Sequence, residues 1–532
     1  MRPSKRLHRP RFGPSFFFFF LFFLITLPLS TDFRDNGLEG FYALLFAKIT
    51  CLLYIVGWNN QHPMSPHNSI TENGEPSMPN VGEVVEKYRP RLEAFSNFYK
   101  EIHQDPEVSG VESRTAERVA KHLESLRYQV HQHIGGHGVV GVFRNGPGKV
   151  ILLRAELDAL PIEELTDLPY SSKKRMVDRY GNDRPVMHAC GHDMNMVALL
   201  GAAALLRAAA AEWSVILLIV FQPDEEETGG AKAMIDDGLY NLVPVPDLML
   251  AQHVVPSATG SVSIRSGPVL VAADSIRVRA MCGSYPAAMR VVLGLEDALR
   301  AEIGPGKDVT VACWGFHAGE PGNDYVAYAD ILLDVKTMEA KVRPQVHEFN
   351  KRRFREACRE AGTPREPIID IKVRAPLTSN DVLIADAVGK VFKEIFGDNA
   401  LEMELTRACE DFSTLGGGHN VPYAYWNFGG SGNTTGGAVA TNHFPYFSPI
   451  IESTLRTGID AMALVVLTFL ASMRRANVTW TRDTPPLPIK SELLVGWRNA
   501  EAGLTSTRLR TEVVENSENA NPSMIGTPSA PP

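Results

Sequence analysis

The sequence predicts an α/β fold: a helix-covered mixed sheet, interrupted by a smaller α+β domain. Three observations carry this. The runs KVILLRAEL (149–157) and SVILLIVFQ (214–222) are continuously apolar and end in polar residues, as strands buried on both faces do. Between them, the Ala/Leu-rich MVALLGAAALLRAAAAEW (196–213) has the composition of a helix that covers such a sheet. From about residue 273 the pattern switches to half-buried strands, DSIRVRAM and VAYADILLDVKTM, before α/β character returns near 378 with LIADAVGKVFKEIFG.

In chain order this predicts a basic leader with apolar segments (1–60), a polar linker (61–82), a first α/β part (83–272), the inserted domain (273–377), a second α/β part (378–474) and a tail without a core-forming pattern (475–532). VGEVVEKYRPRLEAFSNFYKEIHQ reads as helical, and SRTAERVAKHLESLRY as a second helix capped by Ser113. The 532 residues, 44% apolar and 21% charged, suffice for two cores. A net charge of −8, without a long basic patch in the body, excludes nucleic acid as a partner. The six cysteines form no disulfide framework, and Cys190 alone has histidine neighbours.

The leader opens with MRPSKRLHRPRFGPS and runs into an apolar stretch from Phe16 to Leu29, short of the roughly 20 residues of a membrane span. A second apolar stretch, 41–58, is interrupted by Lys48. Three readings stay open: a cleaved signal, a membrane hairpin that attaches the chain through its N-terminus, or an incidental leader before ordered protein near Met64. Localisation is accordingly membrane-associated or secreted, with cytoplasmic as the alternative. The sequons at Asn433 and Asn477 matter only in a translocated chain.

Polar residues collect at strand exits. Asp158 follows the first central strand in RAELDALP, and Glu225, Glu226 and Glu227 follow the second in FQPDEEETGG. Cys190 and His192 lie in HACGHD, His253 ends DLMLAQH, and His443 lies in TNHFPYFSP. Imidazole, thiolate and carboxylate together suit a zinc-like ion. Amide hydrolysis needs activated water and a base, and adjacent glutamates divide ligation from proton transfer. Taken singly, each residue has a plain alternative: a packed histidine, a solvated acidic loop, a turn-capping aspartate. Placement at the C-terminal ends of strands favours a centre of one or two metals.

These segments, with IHQDPEVSGVESRTAERVAKHL, QHVVP, SGPVLVAADS, HAGEPGN, TSND and CEDFS, resemble the metallo-aminoacylase/carboxypeptidase family from about residue 84 to 472. The branch is that of hippurate hydrolases, auxin-conjugate amidohydrolases and aminobenzoyl-glutamate hydrolases. The resemblance implies a catalytic domain interrupted by a lid that often mediates a homodimer. It implies two divalent ions (Zn, Mn or Co) held by Cys190, His192, Glu226, His253 and His443. Glu225 would be the general base, Asp158 would orient a ligand, and Asn323 in the lid would meet substrate. The implied substrate is an N-acyl amino acid or small peptide-like conjugate.

Three departures stand out. Glu156 replaces the Asp of RADMDALP, and Asn195 replaces the second histidine of CGHDxH. The lid loop GGHxxxPH, whose histidine helps hold the oxyanion, has no counterpart after Cys282, and no histidine occurs between His253 and His317. Loss of one oxyanion donor costs on the order of 100- to 1000-fold in turnover. A metal-binding homologue with little catalysis, acting as a binding or scaffold protein, is therefore the alternative.

Overall fold

The computed structural model describes residues 80–476, apart from 282–288, 290–291, 305–306, 320–327, 361, 363–364 and 433–438. The leader, most of the linker, the tail beyond Ala476, Asn323, the segment just after Met281 and both sequons lie outside the described residues.

The first helical pattern divides into α1 (Val81–Tyr88) and α2 (Leu92–Gln104). Pro90 causes the break: it lacks an N–H and drives Arg89 to φ −56° and ψ 127°, out of the helical region. Helix α3 (Ser113–Ser125) also differs from expectation, because Ser113 is its first helical residue and not its cap. The Glu107 carboxylate caps it from outside, accepting the N–H of Arg114 at 2.9 Å and of Thr115 at 2.8 Å.

The chain continues through β1 (Gln129–Ile134), β2 (Gly138–Arg144), β3 (Val150–Glu156) and a small hairpin of β4 (Arg175–Val177) and β5 (Asp183–Pro185). Helix α4 (His192–Ala208) precedes β6 (Ile216–Gln222), α5 (Gly230–Asp236), α6 (Leu239–Leu242), β7 (Leu248–Ala258), β8 (Val262–Ile264) and β9 (Gly267–Leu270). Then come β10 (Ala272–Ala280), α7 (Leu295–Ile303), β11 (Val309–Ala318), β12 (Ala329–Thr337), α8 (Arg343–Glu360) and β13 (Ile368–Ala375). The last elements are β14 (Thr378–Asn380), α9 (Val382–Phe396), β15 (Ala400–Glu402), β16 (Tyr423–Ser431) and α10 (Ile451–Ala476).

Eight strands form the large mixed sheet, in the order β1-β2-β6-β3-β7-β16-β8-β15. Its centre, β6-β3-β7-β16, is parallel, so the C-terminal ends of these strands lie on one side. The inserted segment forms its own antiparallel sheet, β11-β12-β10-β13, with α7 and α8 packed on a separate core.

Helix α4 begins at His192, four residues before the apolar run that predicted it. Gly191, at φ 85°, turns the chain into it, and its first turn is fully buried. It packs closely against α10: a Cβ on Gly201 would stand 2.3 Å from Ile459 Cδ1. Among the described residues, 451–470 of α10 alone is long and apolar enough to cross a membrane, and its most apolar 18 residues are 89% buried inside the protein.

One ion cluster ties α2 to α4. His103 Nδ1 lies 2.6 Å from Asp193 Oδ2, and Nε2 lies 3.1 Å from Glu164 Oε1, all buried. Burial alone would lower the imidazole pKa; hydrogen bonds to Asp193 and Glu164 and their charges outweigh it and raise it to about 9. An unfolded histidine titrates near 6.5, so this stabilisation is complete below that pH and is lost as pH rises through about 9. Urea unfolding of wild type and His103→Gln at pH 6 and pH 9.5 reads it: the stability gap should shrink by on the order of 3 kcal/mol at the higher pH. An equal gap at both would show that His103 is not charged in the fold.

Candidate metal centre

The parallel strands deliver the site. Asp158 lies two residues past β3 and the Glu225–Glu227 run three past β6. His253 is not at a strand end as expected: β7 continues to Ala258. It does lie just beyond Ala251, the last β7 residue paired with β3, which places it beside the β3 exit. Cys190 and His192 flank Gly191 at the start of α4. His443 comes from a loop in which its backbone, at φ 66°, is left-handed. Asn442 pins that loop, donating from Nδ2 to the carbonyls of Cys190 at 2.7 Å and Val254 at 3.1 Å.

Cys190 Sγ is central. It lies 3.1 Å from His443 Nε2 and 3.5 Å from His253 Nε2. Glu226 Oε2 lies 3.5 Å from His443 Nε2, while His192 Nε2 is 3.7 Å from Glu225 and 3.9 Å from Glu226. Donor atoms of Cys190, His192 and His253 fall within 4.8 Å of one another, as do those of Cys190, Glu226 and His443. Every sequence-expected ligand is thus in one cluster. Asn323, the expected substrate contact, lies outside the described residues.

Hydrogen bonds fix which ring nitrogens face inward. His192 Nδ1 donates to the Asp158 carbonyl at 2.9 Å and lies 3.2 Å from Asp158 Oδ1. His253 Nδ1 donates to the Val254 carbonyl at 2.8 Å. Both rings therefore turn Nε2 into the cluster. His192 Nε2 and Glu226 Oε1 are buried without a hydrogen-bond partner, a costly state that an ion would relieve. Asp158 also accepts from Ser109 Oγ at 2.8 Å and the Glu226 N–H at 2.9 Å, so one carboxylate sets both His192 and the glutamate loop.

Electrostatics demand positive charge here. Burial would lower His192, but Asp158, Glu156 and Glu226 outweigh it and raise its pKa to about 10. Burial and the charges of Glu410 and Glu226 hold Glu225 well above the usual carboxylate range, and burial, with Asp158 and Glu156, lifts Glu226 to about 7. Burial with Glu226 and Glu225 keeps the Cys190 thiol high. His188 is apart from this: it is buried, lowered to about 4 by burial, and neither ring nitrogen meets a partner.

Sequence reading missed what underlies the cluster. Arg154, fully buried, donates to Gln222 Oε1 at 2.9 Å, to both Glu410 oxygens at 2.7 and 3.0 Å, and to Glu156. Asp411 accepts from Gln222 at 2.6 Å and from the Ala231 N–H at 3.0 Å, fixing the start of α5. CEDFS was visible as a motif, but nothing local in it pointed to Arg154. The two departures at 156 and 195 prove to be partners. Asn195 Nδ2 donates to Glu156 Oε2 at 3.0 Å, and Asn195 Oδ1 accepts the Val254 N–H at 2.9 Å. A longer acid meets a shorter amide, so Asn195 serves packing beneath the site and does not face substrate. Glu156→Asp and Asn195→His should each destabilise, and the double variant should recover at least about 1 kcal/mol relative to their sum in chemical unfolding. Strict additivity would contradict the pairing.

The pattern of Peptidase family M20/M25/M40 matches residues 152–468. The hippurate hydrolase of Campylobacter jejuni is 32% identical over 338 residues, 60% of this chain and 84% of that protein. The IAA-amino acid hydrolase ILR1-like 4 of Arabidopsis thaliana is 27% identical over 435 residues, covering 77% of this chain and 93% of that protein. The crystal structure of a dinuclear metal-binding M20 peptidase from Bacillus subtilis shares the fold, with a TM-score of 0.58 and 24% identity over 71% of this chain and 99% of that one. The chain belongs to Peptidase family M20/M25/M40 and is a metal-dependent hydrolase of amide bonds.

Proposed function

We propose that the protein hydrolyses the amide bond of N-acyl amino acids or small peptide-like conjugates at a site for two divalent cations. The observation that carries this is the convergence of four ligand side chains on Cys190, with unpartnered donor atoms in a surplus of buried negative charge. The activities in the names of the Campylobacter and Arabidopsis relatives support the substrate class.

Cys190 belongs to both groups of donors, so we assign it as the shared thiolate. His192 and His253 complete one group, Glu226 and His443 the other. Thiolate, imidazole and carboxylate suit zinc, manganese or cobalt. Bound divalent ions would supply Lewis acidity toward the scissile carbonyl and acidify water. Glu225 takes a proton from the attacking water as oxygen bonds to the carbonyl carbon. It then returns that proton to the amide nitrogen as the C–N bond breaks, leaving a free amine and a carboxylic acid, which gives its remaining proton to water. Burial and the neighbouring acids hold Glu225 above the usual carboxylate range, which strengthens it as an acceptor of the water proton provided that bound cations keep it ionised. Asp158 holds His192 in the ligating tautomer. Asn323 is assigned to substrate on the sequence resemblance alone.

The lack of any histidine between His253 and His317 favours a second reading, a metal-binding homologue with little turnover. One assay separates the two: release of free amino acid from a panel of N-acyl amino acids, with added Zn²⁺, Mn²⁺ or Co²⁺. Hydrolysis by wild type, reduced about 100-fold or more in Glu225→Gln, is expected. Equal rates for both proteins on every substrate would refute the catalytic reading, and metal binding without turnover would support the second.

A further inference from the structure

We propose that the β4–β5 hairpin is a strap that holds the glutamate loop in its working conformation, with Arg179 as the positioning residue. This rests on the reading of Glu225 and Glu226 just given.

The loop needs holding. Asp224 and Thr228, which bracket Glu225–Glu227, both lie at φ 53°, a left-handed region that side chains other than glycine's disfavour, a β-branched one most of all. Four consecutive carboxylates, Asp224 to Glu227, also repel one another. From beneath, the loop backbone is tied by two bonds: the Asp224 N–H donates to Glu112 Oε1 and the Glu226 N–H to Asp158 Oδ2, each at 2.9 Å.

From outside, the hairpin supplies the rest. Arg179 grips Asp224 with both terminal nitrogens, at 3.0 and 2.5 Å, and reaches Glu227 at 2.7 Å. Tyr180 donates its hydroxyl hydrogen to Glu227. The guanidinium lies over Gly110, where a Cβ would stand 2.9 Å from Nη1. One cation thus bridges the two flanking acids of the run and offsets one of their charges, while the inner two, Glu225 and Glu226, turn toward His192. The hairpin is itself anchored: Met176 packs on the small core of Val108, Ala159 and Val186. The Asp178 carboxylate closes its turn, accepting the N–H of Tyr180 at 2.9 Å and of Asn182 at 2.8 Å. An exposed ion pair is weak, but a two-pronged arginine clamp on a strained loop sets geometry, which is what a general base requires.

The test measures kcat and KM on a hydrolysed N-acyl amino acid. Arg179→Ala should lower kcat by about 10- to 100-fold with KM little changed. Adding Asp224→Gly should restore part of that loss, because glycine adopts the left-handed backbone without strain and no longer needs the clamp. Wild-type kcat in Arg179→Ala, or a loss that Asp224→Gly does not lessen, overturns the proposal. Should Arg179→Ala fail to fold, Arg179→Lys decides: a several-fold lower kcat supports the strap and an unchanged one overturns it. Glu225→Gln is run beside them. If it is inactive while Arg179→Ala matches wild type, the strap fails alone; if it matches wild type, the catalytic reading fails.

Discussion

Buried negative charge around Arg154 is the constraint on which the rest of this structure depends. Glu156, Asp158, Glu225, Glu410 and Asp411 are all buried near the exits of β3 and β6. A carboxylate removed from water is stable only if paired, protonated or bound to a cation. Arg154 on β3 satisfies the inner side of this group, bridging Glu156, Glu410 and Asp411. It does not reach the outer side, where Asp158 and Glu226 face His192 and Cys190. There His192 is driven up to hold a proton and Glu226 is driven up to give up its charge, while burial lowers His253 and His443 and the His192 partner, against burial, holds Asp158 low. The two upward shifts express one deficit of positive charge, and the imidazole, thiol and carboxylate atoms turned toward it are of the kinds that suit divalent ions.

That deficit explains why so much of the surrounding polar structure concerns orientation. Asp158 and the Val254 carbonyl each fix one imidazole tautomer. Asn442 holds the left-handed His443 loop against the Cys190 segment. Arg179 bridges the flanking acids of the glutamate run so that the inner pair face the cluster.

The parts of this that were legible in the sequence are those with local signatures. Strands β3 and β6 announce themselves because strands buried on both faces are continuously apolar up to their C-terminal ends, where Arg154, Glu156 and Gln222 stand. Among the ligand candidates, Glu226 follows such a strand and Cys190 and His192 share a short His/Cys motif, whereas His253 lies inside β7 and His443 in an aromatic loop; their separate roles came from family resemblance. What was hidden depends on residues far apart in the chain. Arg154 and Glu410 are 256 positions apart, and neither segment carries a mark of the other. Asn195 and Glu156 looked like independent departures until their side chains met. Ser113 had the right chemistry for a cap, yet Glu107, further back in the turn, offers a charged carboxylate to the same helix end. Arg179 carries no local mark in the sequence because its value lies in the strain of a loop that only the fold creates.

Metal content measures the central claim most directly. Purified wild-type protein, analysed by inductively coupled plasma mass spectrometry after exchange against metal-free buffer, should hold close to two divalent ions per chain. The Cys190→Ala variant, which removes the thiolate common to both donor groups, should hold fewer while remaining folded by circular dichroism. Wild-type protein without bound divalent metal, or a folded variant with undiminished content, would contradict the account.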